Sequence, residues 1–168
     1  MNDRVISTEV NGEQRTATVP VRMLLSDFLR HTLGLTGTHV GCEQGVCGAC
    51  TVQLDGEPVR ACLLLAVQAD RRTVRTVEGL ADHNGPLHPL QEAFHTEHGL
   101  QCGFCTAGFL MSTEPLLAGL NAADDSEVRE ALSGNICRCT GYQGIIDAVR
   151  VAARSIHDRA AKSGDDYA

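Results

Sequence analysis

The stretch "GCEQGVCGAC", residues 41–50, sets Cys42, Cys47 and Cys50 into one loop with Gly41, Gly45 and Gly48 between them. Cys62 follows after eleven further residues, so the set reads C-x4-C-x2-C-x11-C, the spacing of a plant-type 2Fe-2S centre. Soft thiolates suit an iron-sulfide core, and three from one loop can wrap it while a more distant one closes it. Glycine allows positive φ and a close approach, so backbone N–H groups can point at a negatively charged core. Zinc loops more often join one C-x2-C pair to a second short pair, which favours iron-sulfur over zinc for this first quartet.

The other four of the eight cysteines form a second quartet. "QCGFC" supplies Cys102 and Cys105, and "NICRCTGY" supplies Cys137 and Cys139. A short pair followed by a distant short pair fits zinc as well as iron-sulfur on spacing alone, and the first quartet tips the balance toward iron. An even cysteine count also invites disulfides. The chain shows no basic-then-apolar leader and no run of eighteen apolar residues, so the cytoplasm, where structural disulfides are rare, is the expected compartment. Arg71 and Arg72 are adjacent but lie far inside the chain with no apolar segment after them, and so are not an export signal. A net charge of -7 with no Trp leaves neither a basic footprint nor stacking platforms for nucleic acid.

Around the thiol loops the patterning changes from strand to helix. "RVISTEV", Asn11-Gly12 and "RTATV" read as a hairpin, and Leu24, Leu25, Phe28, Leu29 and Leu33 as a helix stopped by Gly34. "CTVQL", "DGEP" and "VRACLLLAV" predict a second hairpin with Cys62 on its second arm, and "RTVRTVEGL" one more short strand. Beyond residue 78 four short helices are expected: "HPLQEAFHTEH" stopped by Gly99, "CTAGFLMSTEPLLAGL" broken at Pro115, "EVREAL" capped by Ser126 and stopped by Gly134, and a last one striped by Ile145, Val149, Ala152 and Ile156. The fold class is α+β, with a strand-rich domain over residues 1–78, a helical domain over 79–160 and a flexible tail over 161–168.

"GCEQGVCGACTV", "HPLQEAF", "QCGFCTAG" and "GNICRCTGY", in this order, resemble the small iron-sulfur subunit of the molybdenum hydroxylases, the xanthine oxidase family, in its separate-subunit form as in bacterial carbon monoxide dehydrogenases. The resemblance runs from about residue 4 to 157 and takes in all eight cysteines. It implies a β-grasp, plant-type ferredoxin-like domain followed by a four-helix bundle, each with one 2Fe-2S cluster. It also implies a large partner subunit with a molybdopterin cofactor and a medium one with FAD, assembled as a dimer of heterotrimers. Electrons would reach Cys102, Cys105, Cys137 and Cys139 first and Cys42, Cys47, Cys50 and Cys62 second, while substrate is oxidised on another chain. Gln101 and the sulfur side of Cys139 would face the pterin. Ala107 stands where the family commonly has Pro, a substitution that relaxes a preset first helical turn. The competing function is a free-standing two-cluster ferredoxin serving soluble partners.

The remaining polar residues carry plainer readings. His95 and His98 have no third metal ligand and suit a polar helix face. Arg138, between two thiols, offsets cluster charge or is solvated, and Arg71, Arg72 and Arg75 line an exposed strand edge or meet an acidic partner. Gly141 and Tyr142 shape the start of the last helix. No Ser/His/Asp or Cys/His set stands out as catalytic.

Overall fold

Asn11 and Gly12, at φ 53° and 82°, make the tight turn that the first hairpin needs, joining strands β1 (Asp3–Val10) and β2 (Glu13–Pro20) in full antiparallel register. Asp55 and Gly56, at φ 52° and 86°, do the same between β3 (Thr51–Leu54) and β4 (Glu57–Arg60). Strand β5 (Thr73–Arg75) inserts between the hairpins, parallel to β1 and antiparallel to β3, which gives the sheet order β2-β1-β5-β3-β4. In this computed structural model residues 2–82 and 84–164 are described; 165–168, the end of the expected tail, lie outside them.

Three local outcomes in this half differ from the sequence reading. The apolar repeat at 24–33 makes one α turn, α1 (Leu25–Asp27), that widens into a π turn over Phe28–Thr32, where the Leu33 N–H reaches the Phe28 carbonyl at 3.0 Å. The wider turn still buries Leu25, Phe28 and Leu29 under the sheet. Cys62 does not ride on β4. That strand ends at Arg60 and Cys62 sits in a 3-10 turn (Ala61–Leu63), because the Leu24–Leu65 bridge draws the following apolar run toward α1 rather than along β3. Strand β5 is not an edge, so Arg75 turns inward to pair with Glu114 at 3.1 Å, while Arg72 pairs with Asp55 at 2.6 Å.

The C-terminal half is helical: α2 (Pro89–Thr96), α3 (Thr106–Thr113), α4 (Asp125–Leu132) and α5 (Gln143–Gly164). Pro115 ends α3 in a 3-10 turn. Helix α2 ends before Gly99, and His98 rather than Gly99 takes the left-handed conformation, at φ 54°. Gly99 is needed for space, since a Cβ there would lie 3.1 Å from the Phe94 ring. Asp124, not Ser126, caps α4, accepting from the N–H groups of Ser126 at 2.9 Å and Glu127 at 3.2 Å. Helix α5 is long and runs through the first residues assigned to the tail.

Two apolar cores result, one around Ile6, Phe28 and Val52, the other around Phe94, Phe109, Ile145 and Val149. Strand β3 is buried along its whole length, with the first core on one face and α3 near the other. Gln53 on β3 donates to the Met111 carbonyl at 3.3 Å and to Glu114 at 2.9 Å, and Arg75 closes the same carboxylate. No helix among the described residues is long and apolar enough to cross a membrane.

Candidate iron-sulfur centres

The first thiol loop is shaped by backbone that few side chains tolerate. Gly45 and Gly48 take φ 76° and 75°, and Glu43 takes 53°. The folded-back chain aims the N–H groups of Gln44 and Cys47 at the Cys42 sulfur, both at 3.4 Å. These amides, Cys47 first, hold the Cys42 thiol down at about 6, a measure of how well the loop stabilises negative charge on sulfur. Cys50 and Cys62 lie buried at the inner side, and burial pushes Cys50 up to about 11. The Ala61 N–H to Cys50 carbonyl bond, 3.2 Å, sets these two thiols side by side although Cys62 is past the strand.

The second quartet is mounted on helix ends. Cys102 and Cys105 precede α3, and Cys137 and Cys139 lie in the loop between α4 and α5. The Phe104 amide and the Cys139 side chain lower Cys102, whereas its hydrogen bond with Cys102 raises Cys139. Burial pushes Cys105 up to about 12. Burial also raises Cys137, but the Thr140 hydroxyl and amide, at 3.1 and 3.4 Å from its sulfur, outweigh it and leave the thiol lowered. Gly141 and Tyr142, at φ 66° and 70°, bend the chain so that the Tyr142 hydroxyl accepts from the Cys137 N–H at 3.1 Å. They therefore shape the thiol loop as well as the start of α5. Gln101, Cys102 and Cys139 are exposed together on this side, as is Arg138.

The eight thiols gather in pairs. Cys42 hydrogen-bonds Cys47, Cys50 bonds Cys62, Cys105 bonds Cys137, and the Cys102 and Cys139 sulfurs are 3.4 Å apart. Two pairs in each quartet is the donor set of a two-iron cluster, two thiolates to each iron. No three His, Cys, Asp or Glu side chains among the described residues close on one point as a single metal ion needs, and His95 and His98 join no such group. The pairing of the thiols fits 2Fe-2S clusters.

Nothing in the sequence pattern placed the two quartets against each other. The Ile136 N–H donates to the Cys47 carbonyl at 2.9 Å, Asn135 donates to the Gly48 carbonyl at 3.1 Å, and the Arg60 guanidinium bonds the Gly134 carbonyl. Phe104, between Cys102 and Cys105, stacks on His39 with ring centroids 4.8 Å apart, and its carbonyl lies 2.8 Å from the His39 Nδ1. The usable signal was the glycines. A Cβ on Gly108 would come within 2.2 Å of the Gly48 carbonyl oxygen, so α3 meets the first thiol loop backbone to backbone.

Comparison with known proteins agrees with this geometry. Residues 8–81 match the family of 2Fe-2S iron-sulfur cluster binding domains, and residues 76–150 match a second 2Fe-2S binding domain family. The chain is 58% identical over 153 residues to the gamma subunit of caffeine dehydrogenase from Pseudomonas sp. (strain CBB1), covering 89% of this chain and 91% of that one. It is 57% identical to the nicotine 6-hydroxylase small subunit of Paenarthrobacter nicotinovorans, covering 94% and 95%. The crystal structure of quinoline 2-oxidoreductase from Pseudomonas putida 86 contains a chain that superposes with a TM-score of 0.87 at 50% identity, covering 93% of this chain and 97% of that one. Aldehyde oxidoreductase from Desulfovibrio gigas aligns at a TM-score of 0.83 and 46% identity, covering 95% of this chain but 18% of that longer one. With two thiol quartets and relatives that match it nearly end to end, the chain belongs to the small iron-sulfur subunits of the molybdenum hydroxylase family and is the iron-sulfur subunit of an oxidoreductase.

Proposed function

We propose that the chain carries electrons from a molybdopterin centre on a large partner subunit, through two 2Fe-2S clusters of its own, to FAD on a medium partner subunit. Cys42, Cys47, Cys50 and Cys62 hold one cluster on a β-grasp ferredoxin-like domain spanning residues 1–78. Cys102, Cys105, Cys137 and Cys139 hold the other on a four-helix domain spanning 79–160. When bound, each cluster takes up and releases a single electron. The observation that carries this reading is the arrangement of eight thiols as two adjoining sets of two pairs, each set supplied with backbone N–H groups.

The chain's own residues determine how the subunit works. Amides of Gln44, Cys47 and Thr140 stabilise thiolate charge, and burial of Cys50, Cys62 and Cys137 limits solvent at the inner side of each set. Gln101 and Cys139, exposed in the isolated chain, face the pterin, and the Gln101 amide supplies both donors and an acceptor to its hydrogen-bonding edge. The assembly is a dimer of heterotrimers in the cytoplasm. Its substrate is an N-heterocycle, as the names of the caffeine, nicotine and quinoline enzymes at 50–58% identity suggest.

Two single substitutions test the order. In a folded complex, Cys47→Ser should leave molybdenum reducible by substrate while FAD reduction slows severely, whereas Cys105→Ser should block the first transfer from molybdenum. Equal FAD reduction rates in wild type and a cluster-depleted Cys47→Ser complex would sink the order. A chain that purifies alone, with full iron and no partner, would favour the free ferredoxin.

A further inference from the structure

We propose that Thr140 tunes the reduction potential of the centre held by the second thiol quartet: its hydroxyl donates to the Cys137 sulfur, stabilises the more negative, reduced state and so makes that centre easier to reduce. Thr140 acts through Cys137 and is therefore a positioning residue. The inference rests on the reading above that Cys102, Cys105, Cys137 and Cys139 hold a 2Fe-2S cluster.

A threonine hydroxyl carries one proton and can turn it toward any acceptor within reach. Here its direction is fixed. The Tyr142 N–H donates to the Thr140 Oγ1 at 3.1 Å, which occupies a lone pair on the oxygen and leaves the hydroxyl proton to the Cys137 Sγ, also 3.1 Å away. The Thr140 N–H approaches the same sulfur at 3.4 Å. Gly141 and Tyr142, at φ 66° and 70°, turn the chain back so that the Tyr142 N–H reaches Thr140 while the Tyr142 hydroxyl accepts from the Cys137 N–H at 3.1 Å. Residues 137 and 140–142 thus brace one another around a single sulfur.

The turn alone needs only the bond from Tyr142 to Thr140, which serine, asparagine or aspartate makes as well. Two observations point beyond it to the sulfur. Cys137 is 7% exposed, so the hydroxyl meets its sulfur where water neither screens nor replaces the bond, whereas Cys102 and Cys139 are open to solvent. Among the described residues, Thr140 also supplies the one hydroxyl that donates to a cysteine sulfur. In the first quartet Cys42 takes the backbone amides of Gln44 and Cys47 instead. Those amides are present whatever the side chains, while the donor at Cys137 is set by residue 140 alone. A hydrogen bond to sulfur strengthens as the centre gains negative charge, which is why it favours the reduced form.

The test uses the assembled complex with Thr140→Val, which keeps the shape and deletes the hydroxyl, and Thr140→Ser, which keeps the hydroxyl. Each is titrated potentiometrically at verified iron and sulfide content, with both cluster signals followed by electron paramagnetic resonance. The signal of the second quartet is identified as the one that Cys105→Ser removes. In Thr140→Val its reduced-to-oxidised ratio at a fixed potential should fall by roughly threefold to tenfold, a midpoint lower by about 30–60 mV for a one-electron couple. The signal of the first quartet should keep its midpoint, and Thr140→Ser should match wild type at both. An unchanged midpoint in iron-replete Thr140→Val, an equal shift of both centres, or a shift in Thr140→Ser as large as in Thr140→Val overturns the proposal. Should Thr140→Val fail to load iron, Thr140→Ala is titrated in its place with the same expected shift. Iron lost from both while Thr140→Ser loads in full would make the hydroxyl a structural part of the loop and overturn the tuning role. Absence of two cluster signals in wild type would instead sink the iron-sulfur reading itself.

Discussion

Gly108→Ala puts two effects of opposite sign against each other. Gly108 is in α3 with ordinary helical backbone, where alanine by propensity would gain about 1 kcal/mol. The added Cβ, however, would sit 2.2 Å from the Gly48 oxygen and 2.9 Å from the Ala49 Cα, against an ordinary carbon contact of about 3.5–4.0 Å. Both obstacles are backbone, so no side chain can swing away and α3 must move off the thiol loop. Overpacking of this kind costs about 1–3 kcal/mol, and the Asn135 to Gly48 bond, worth about 1 kcal/mol, lengthens with it. The net loss is about 1–3 kcal/mol. At about 2–4 °C per kcal/mol for a chain of this size, the melting temperature should fall by roughly 3–10 °C. Gly119→Ala is the control, since its Cβ meets nothing closer than the Leu116 oxygen at 3.9 Å and should change stability by less than about 0.5 kcal/mol. Thermal unfolding of both variants at equal iron content measures the difference. A Gly108→Ala protein that melts at or above wild type would refute backbone contact between α3 and the loop.

Two further outcomes follow from other parts of the molecule. Burial holds His88 below the usual imidazole range, with Glu114 pulling it up and Arg75 and Arg159 pushing it further down. The folded chain keeps His88 neutral while the unfolded chain protonates near about 6.5, so stability is lost as pH falls through that value. The melting temperature should drop on going from about pH 7.5 to 5.5, and less so in His88→Asn; an equal drop in both would remove His88 from the account. Gln101→Leu would leave pterin groups unpaired at a cost of roughly 1–3 kcal/mol in the complex, seen as lost molybdenum or slower cluster reduction at unchanged iron. Wild-type values for all three would end the assignment of Gln101 as a pterin contact.

What the sequence revealed was whatever depends on neighbours in the chain. Asn11-Gly12 and Asp55-Gly56 specify their turns by themselves, and the thiol spacings mark both quartets. Features decided by distant partners were hidden. Leu63 to Leu65 read as a continuing strand, yet pairing of Leu65 with Leu24 pulls the chain into the turn that carries Cys62. Ser126 and Asp124 are both good caps, and the backbone entering α4 selects Asp124. Arg75 looked like a surface cation because nothing local shows that β5 is central or that Glu114 waits across the domain contact. The junction of Cys47 with Ile136 joins residues too far apart in sequence for any motif to link, and it shows beforehand only in glycines whose purpose is space.

The central claim is that this one chain holds two 2Fe-2S clusters. Metal and sulfide analysis of the purified protein, with electron paramagnetic resonance after reduction, tests it most directly. Two complete thiol quartets predict about four irons and four sulfides per chain, background zinc, and two distinct signals, one from the quartet on the exposed helix ends and one from the glycine-rich loop. Zinc bound at either quartet, or a single signal integrating to one spin at full iron loading, would contradict it.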